Sequence, residues 1–189
     1  WLRQFMQTRQ QEREKQPIPE AAAAQFKRIQ QAAKQGNADA QHELANCYSA
    51  GFGTPQDFEQ AALWFLKAAE NGNLSAQYRI AICYGFGAGI SLDYAQALRW
   101  LKEAAQQGHV QAQYILGNYY YEGRGCEKDP KEAFVWYKKA AEQGHAVAQW
   151  CVGNAYMFGR GVARDHQEAD FWFQKAAALG FDQRPDSTR

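Results

Sequence analysis

The chain has 189 residues, a formal net charge of +1, and 46% hydrophobic and 14% aromatic residues, enough apolar material for one or two units with a proper core. The near-neutral charge gives no sign of a nucleic-acid or membrane-surface partner, and no apolar run approaches the roughly 18 residues of a membrane span. The first residue is Trp1 rather than Met, which leaves room for a leader removed upstream.

Residues 1–19 read as an N-terminal helical segment. Trp1, Leu2, Phe5 and Met6 share one stripe before a charged run, and Pro17 and Pro19 interrupt it. Two roles fit: a degenerate capping helix at the end of an array, or a tail that docks on a partner or a second copy. Residues 20–39 form a half repeat ending in RIQQAAKQG, which begins at Arg28. Four units follow at 40–75, 76–111, 112–147 and 148–183, and 184–189 is a tail.

The units are copies of one another. Trp-x-x-x-Ala-Ala-x-x-Gly starts at Trp64, Trp100, Trp136 and Trp172, each 36 residues after the last. Ala-Gln recurs in the same register at Ala40, Ala76, Ala112 and Ala148, and Gly-x-Gly at Gly51, Gly87, Gly123 and Gly159. A fixed period of this length marks a repeat architecture. Each unit reads as two helices. In the first, Ala40, Leu44, Ala45 and Tyr48 share a face, and Gly51 and Gly53 break the helix. Asp57 opens the second as an N-cap with Gln60 three residues on, as in a capping box. Asp93/Gln96, Asp129/Glu132 and Asp165/Glu168 repeat the device. The second helix buries Ala61, Trp64, Phe65, Ala68 and Ala69 and stops at Gly72, a left-handed position. One helix pair cannot bury its apolar face alone, so stacked neighbours must build a continuous core. The predicted fold is all-α, a solenoid of helix-turn-helix repeats with a 36-residue period.

The third unit, AQYILGNYYYEGRGCEKDPKEAFVWYKKAAEQG, resembles the Sel-one-like repeat family, relatives of the tetratricopeptide repeats. Cys126 replaces the family's Val, Ala45 and Ala81 replace its Gly in the first two units, and Glu103 replaces its Lys in the second. The resemblance covers residues 40–180 and the preceding half repeat. It implies a right-handed superhelix and a non-catalytic adaptor that binds other proteins. A cysteine-rich subgroup of the family carries a disulfide in each repeat, but its cysteine positions are alanine here, from Ala40/Ala69 to Ala148/Ala177. With that framework absent, the reading leans to a reducing compartment, cytoplasmic rather than periplasmic or secreted.

Catalytic chemistry is hard to find. The four aspartates are explained as caps, the glycines follow no strand as a phosphate loop would require, and His109 and His145 occupy a polar turn position held by Asn37 and Asn73 in earlier copies. No cofactor and no metal site are expected. A small-molecule enzyme would need convergent titratable groups, and the groove offers only His42 and Glu122.

The face of the first helix turned away from the core is the candidate site. It carries His42, Asn46, Ser49, Ala50; Tyr78, Ile82, Gly85, Phe86; Tyr114, Asn118, Tyr121, Glu122; and Trp150, Asn154, Met157, Phe158. One of these 16 is charged, against 13 of 24 on the outer face of the second helix. Aromatic-rich, charge-poor surface has the composition of an interface core. The expected partner-binding residues are Asn46, Tyr78, Ile82, Phe86, Tyr114, Asn118, Tyr121, Trp150, Asn154, Met157 and Phe158. The competing reading packs Tyr78, Tyr114 and Trp150 against one another inside a tight superhelix. In tetratricopeptide relatives this face lines the concave groove and an Asn at the matching place holds the ligand backbone, so Asn46, Asn118 and Asn154 inherit that role by resemblance. The clamp lysines and arginines of those domains have no counterpart, so a C-terminal carboxylate ligand is not implied. The expected function is a non-enzymatic scaffold or adaptor that binds a protein or peptide in the concave groove. The alternative is a bacterial immunity protein that neutralises a secreted effector. No nucleic acid and no membrane insertion are expected, and pairing of solenoid ends offers a homodimer as a further partner.

Overall fold

The computed structural model describes residues 18–181. Among them are nine α-helices and no strand: α1 (Glu20–Lys34), α2 (Ala38–Ala50), α3 (Phe58–Glu70), α4 (Leu74–Phe86), α5 (Tyr94–Gln106), α6 (Val110–Glu122), α7 (Pro130–Glu142), α8 (Ala146–Phe158) and α9 (His166–Ala178). They fall into two compact units. The first holds the described residues through Ala76 together with Ala88–Ser91, and the second holds Gln77–Gly87 and everything from Leu92 onward. Residues 1–17, which carry the two roles read for the N-terminal segment, and the tail at 184–189 lie outside the described residues. No described helix is long and apolar enough to cross a membrane.

The cap residues explain where each helix begins. The side chains of Asp57, Asp93, Asp129 and Asp165 accept backbone N–H groups of the first turns of α3, α5, α7 and α9, satisfying donors that a helix start leaves orphaned. The capping box, however, is only half made. In a box the third residue's side chain returns to the cap's own N–H. Here that N–H already donates to a carbonyl of the preceding helix: Asp57 to Tyr48 at 2.9 Å, Asp93 to Tyr84 at 3.0 Å, Asp129 to Tyr120 at 2.9 Å and Asp165 to Tyr156 at 3.0 Å. The cap therefore also ties the two helices of a repeat together.

At the other end the Ala-Ala pair supplies acceptors. Gly144, with φ of +86°, donates to Ala141 at 3.0 Å, and His145 donates to Ala140 at 3.1 Å. This is the double closure of a Schellman motif. The same residues then cap the next helix. Asn37, Asn73, His109 and His145 accept the N–H of Ala40, Ala76, Ala112 and Ala148. The two histidines, read from sequence as a polar turn, are N-caps.

The core is built from small residues closely approached and large ones wedged between. In the second unit Ala133, Tyr137, Ala140, Ala141, Ala148, Val152 and Trp172 form one buried cluster. Trp64, Trp100, Trp136 and Trp172 are all buried, each large ring removing some 150–250 Å² from water. Lys67, Lys139 and Lys175, three residues after their tryptophans, place ammonium groups 4.3, 4.0 and 4.8 Å from the ring centroids. Where Glu103 takes that position, Arg99 covers Trp100 instead, at 4.8 Å. A cation thus covers this ring too, although Glu103 departs from the pattern.

A glutamine ladder links neighbouring repeats within each unit. Gln41, Gln77, Gln113 and Gln149 are buried. The amides of Gln41, Gln113 and Gln149 donate to the carbonyls of Ala33, Ala105 and Ala141. Asn71 donates to Gln41, Gln107 to Gln77 and Gln143 to Gln113, at 2.7–2.8 Å. This explains the repeated Ala-Gln pair, whose glutamine the helical pattern had not marked as buried.

Candidate protein-binding site

The site is built in the second unit from α6, α7 and α8. The caps fix where α6 and α8 start, and the helical period then sets which residues turn outward. Tyr114, Asn118 and Tyr121 descend one face of α6, and Trp150 and Asn154 one face of α8. Tyr114 is held from behind, because its ring stacks on His145 with centroids 4.7 Å apart and an angle of 22°. His145 in turn caps α8, so one histidine sets both the helix start and the aromatic wall. Tyr78 stacks on His109 in the same geometry.

Between these helices lies a cavity of about 370 Å³, within the usual range of ligand pockets, about 300–1,000 Å³. Tyr114, Phe134, Tyr137, Val147, Trp150 and Cys151 supply its apolar lining, and Asn118, Asn154, Glu122 and Arg160 its polar groups. Burial pushes the Cys151 thiol up to about 12 and raises the Tyr137 phenol well above its usual range, so both are neutral walls at physiological pH. Burial lowers His145, which is also neutral there, as its accepting Nδ1 requires.

The polar groups are only partly engaged. The Tyr137 hydroxyl donates to Asn118 Oδ1 at 2.8 Å, leaving the Asn118 amide without a partner among the described residues. Asn154 Nδ2 donates to the Trp150 carbonyl at 3.1 Å, leaving its Oδ1 likewise. Glu122 is ion-paired with Arg124. Arg160 Nη1 donates to the Tyr121 hydroxyl at 2.8 Å, and its guanidinium lies 5.0 Å from the Phe158 ring centroid.

Of the residues expected at the site, Tyr114, Asn118, Tyr121, Trp150 and Asn154 line this cavity. Tyr78, Ile82, Phe86, Met157 and Phe158 do not line it, and Phe86 is 76% exposed. Asn46 belongs to the first unit, where its amide lies 3.4 Å from His42 Nε2. The helical wheel of one helix missed Arg160, which follows Gly159 in the turn, and Phe134 and Tyr137, which come from α7. Gly-Arg-Gly at Gly159 was the available signal. Among the described residues no group of three or more His, Cys, Asp or Glu could hold a metal ion, and the four cysteines are free thiols.

The Sel1 repeat model matches residues 38–73, 74–109, 110–145 and 146–181. The chain belongs to the Sel1 repeat family. Sel1 repeats are generally non-enzymatic scaffolds that mediate protein–protein interaction, and the fold is the all-α solenoid of that family. The crystal structure of c5321, a protective antigen of uropathogenic Escherichia coli with an SLR fold, is similar with a TM-score of 0.79 and 43% identity. That match covers 82% of this chain and 33% of the antigen. A Sel1 repeat protein from Oxalobacter formigenes matches with a TM-score of 0.77 and 31% identity, over 85% of this chain and 64% of the other. The chain thus spans about a third and about two thirds of these relatives' lengths. The immunity protein Pa5087 of Pseudomonas aeruginosa shares the fold, with a TM-score of 0.50 and 22% identity over 88% of this chain and 69% of that one. Comparison with curated proteins finds none that matches.

Proposed function

We propose that this Sel1 repeat protein is a non-enzymatic scaffold that binds a protein or peptide through the face carrying Tyr114, Asn118, Tyr121, Trp150 and Asn154. The observation that carries the reading is the cavity itself. Aromatic walls, two half-used carboxamides and one guanidinium converge on it from α6, α8 and the turn after Gly159. Neutral groups such as the half-buried Cys151 and the buried Tyr137 offer packing surface rather than acid–base chemistry. Aromatic side chains in such places are the usual binding hot spots, typically worth at least ~2 kcal/mol each. The test compares partner capture by the native chain and by a chain carrying Tyr121→Ala and Trp150→Ala. The expected result is loss of the partner with the melting temperature lowered by only a few degrees. Retained capture by a folded double variant contradicts the proposal.

A narrower form of the reading is an immunity protein that neutralises a secreted effector by direct binding, in keeping with the role named for Pa5087. That likeness supports a shared fold. Tight binding to one enzyme with loss of that enzyme's activity is the result that distinguishes it from a general adaptor.

A further inference from the structure

We propose that the cavity is the anchor subsite for an extended peptide segment in which a large apolar or aromatic side chain stands next to an acidic one. The inference rests on the protein-binding reading above and specifies the partner's chemistry. Three observations carry it. The first is the lining: Tyr114, Phe134, Val147 and Trp150 are among the side chains that line about 370 Å³, which suits a bulky apolar side chain. The second is the unequal use of two carboxamides. Asn118 has spent its oxygen on the Tyr137 hydroxyl and presents its N–H donors. Asn154 has spent a donor on the Trp150 carbonyl and presents its oxygen. Together they leave amide N–H donors and a carbonyl acceptor available, the complement of a peptide group's C=O and N–H.

The third observation is charge. Among the described residues the cavity lining includes one cation, Arg160, while Arg124, in the turn after α6, is neutralised by Glu122. Arg160 has no carboxylate partner among the described residues. It is nonetheless positioned, by a hydrogen bond to the Tyr121 hydroxyl and by the Phe158 ring. Neither contact cancels its charge, and its remaining N–H groups are left to a planar acceptor. A guanidinium held in place without an anion, at the edge of an apolar cavity, selects a carboxylate beside the anchoring side chain. One arginine matches one Asp or Glu side chain. A chain-terminal carboxylate is captured by a convergent nest of donors, whereas this cavity has a single cation among the described residues.

The test is a library of linear peptides with amidated C-termini, selected on the native chain, on Arg160→Gln and on Trp150→Ala. Enrichment on the native chain of peptides with Asp or Glu adjacent to Phe, Tyr, Trp or Leu supports the proposal. For a selected peptide, changing its Glu to Gln weakens binding about fivefold at low salt. The same change makes no difference to Arg160→Gln, and the fivefold factor shrinks as salt is raised. Arg160→Lys, which keeps the charge, retains part of the preference. If selected peptides lose binding on Trp150→Ala but show no acidic preference, this inference is overturned and the groove reading stands. Selection that succeeds only with a free C-terminal carboxylate overturns it equally. If peptides bind Trp150→Ala as well as the native chain, the groove reading itself fails.

Discussion

Leu179 stands where the three earlier units carry a carboxamide, 36 residues after Gln143, Gln107 and Asn71 in turn. Those side chains each donate to the glutamine of the ladder, whereas Gln149 Oε1 is buried without a hydrogen-bond partner among the described residues. Leu179 is itself 55% exposed, so little packing is lost by replacing it. Leu179→Gln should therefore stabilise the protein by about 1 kcal/mol, read as a rise of roughly 2–4 °C in melting temperature. No change would show that the orphaned oxygen costs less than its burial implies. The histidine caps make a second residue-scale prediction. Nδ1 of His109 and His145 accepts a backbone N–H, and burial lowers both below the ordinary histidine value, about 6.5. A base with a lowered native pKa binds fewer protons folded than unfolded, so its contribution is fully present above the unfolded value and is lost as pH falls from there through the lowered native value. Between neutral pH and about 5, the native chain should lose more thermal stability than His109→Asn/His145→Asn, which carries the caps of the earlier repeats. Parallel melting-temperature curves would contradict this.

At the scale of the helix and its turn, two glycines that look alike in sequence should behave differently. Both Gly144 and Gly161 have positive φ, +86° and +77°. A Cβ on Gly144 meets nothing within 4 Å, while one on Gly161 would overlap the carbonyl of Pro130 at the start of α7. Gly144→Ala carries only the left-handed backbone cost, about 1–2 kcal/mol. Gly161→Ala adds a collision with backbone that cannot move aside, and its loss in chemical denaturation should be clearly larger. Asp129→Ala removes a cap bonded at 2.9 and 3.0 Å and should cost about 1 kcal/mol. Much of this level was legible beforehand. The 36-residue period, the aspartate caps, the helix stops and the aromatic wedges are all local signals. The failed half of the capping box and the buried glutamines were not legible. Both depend on which carbonyl of another helix lies within reach, and a pattern along one helix carries no such information.

For the molecule as a whole, the repeat explains the fold, and the proposed binding face includes positions where the repeats differ. Positions shared by all units, such as Trp136, Ala140 and Ala141, are buried and hold the solenoid together. Tyr114 and Trp150, where the two earlier units carry His42 and Tyr78, line the cavity. Periodicity made the aromatic row of α6 and α8 readable. It could not show that Phe134 and Tyr137 complete the same wall, nor that Arg160 stands at it, because these come from a neighbouring helix and a turn. The proposal that this face binds a peptide can be read out through the six tryptophans. In a ¹H–¹⁵N spectrum each indole N–H gives its own signal, and the buried rings of Trp100, Trp136 and Trp172 serve as internal controls. Titration with a selected peptide should shift the Trp150 indole signal and leave those three in place. A peptide that binds while the Trp150 signal stays fixed would contradict the account.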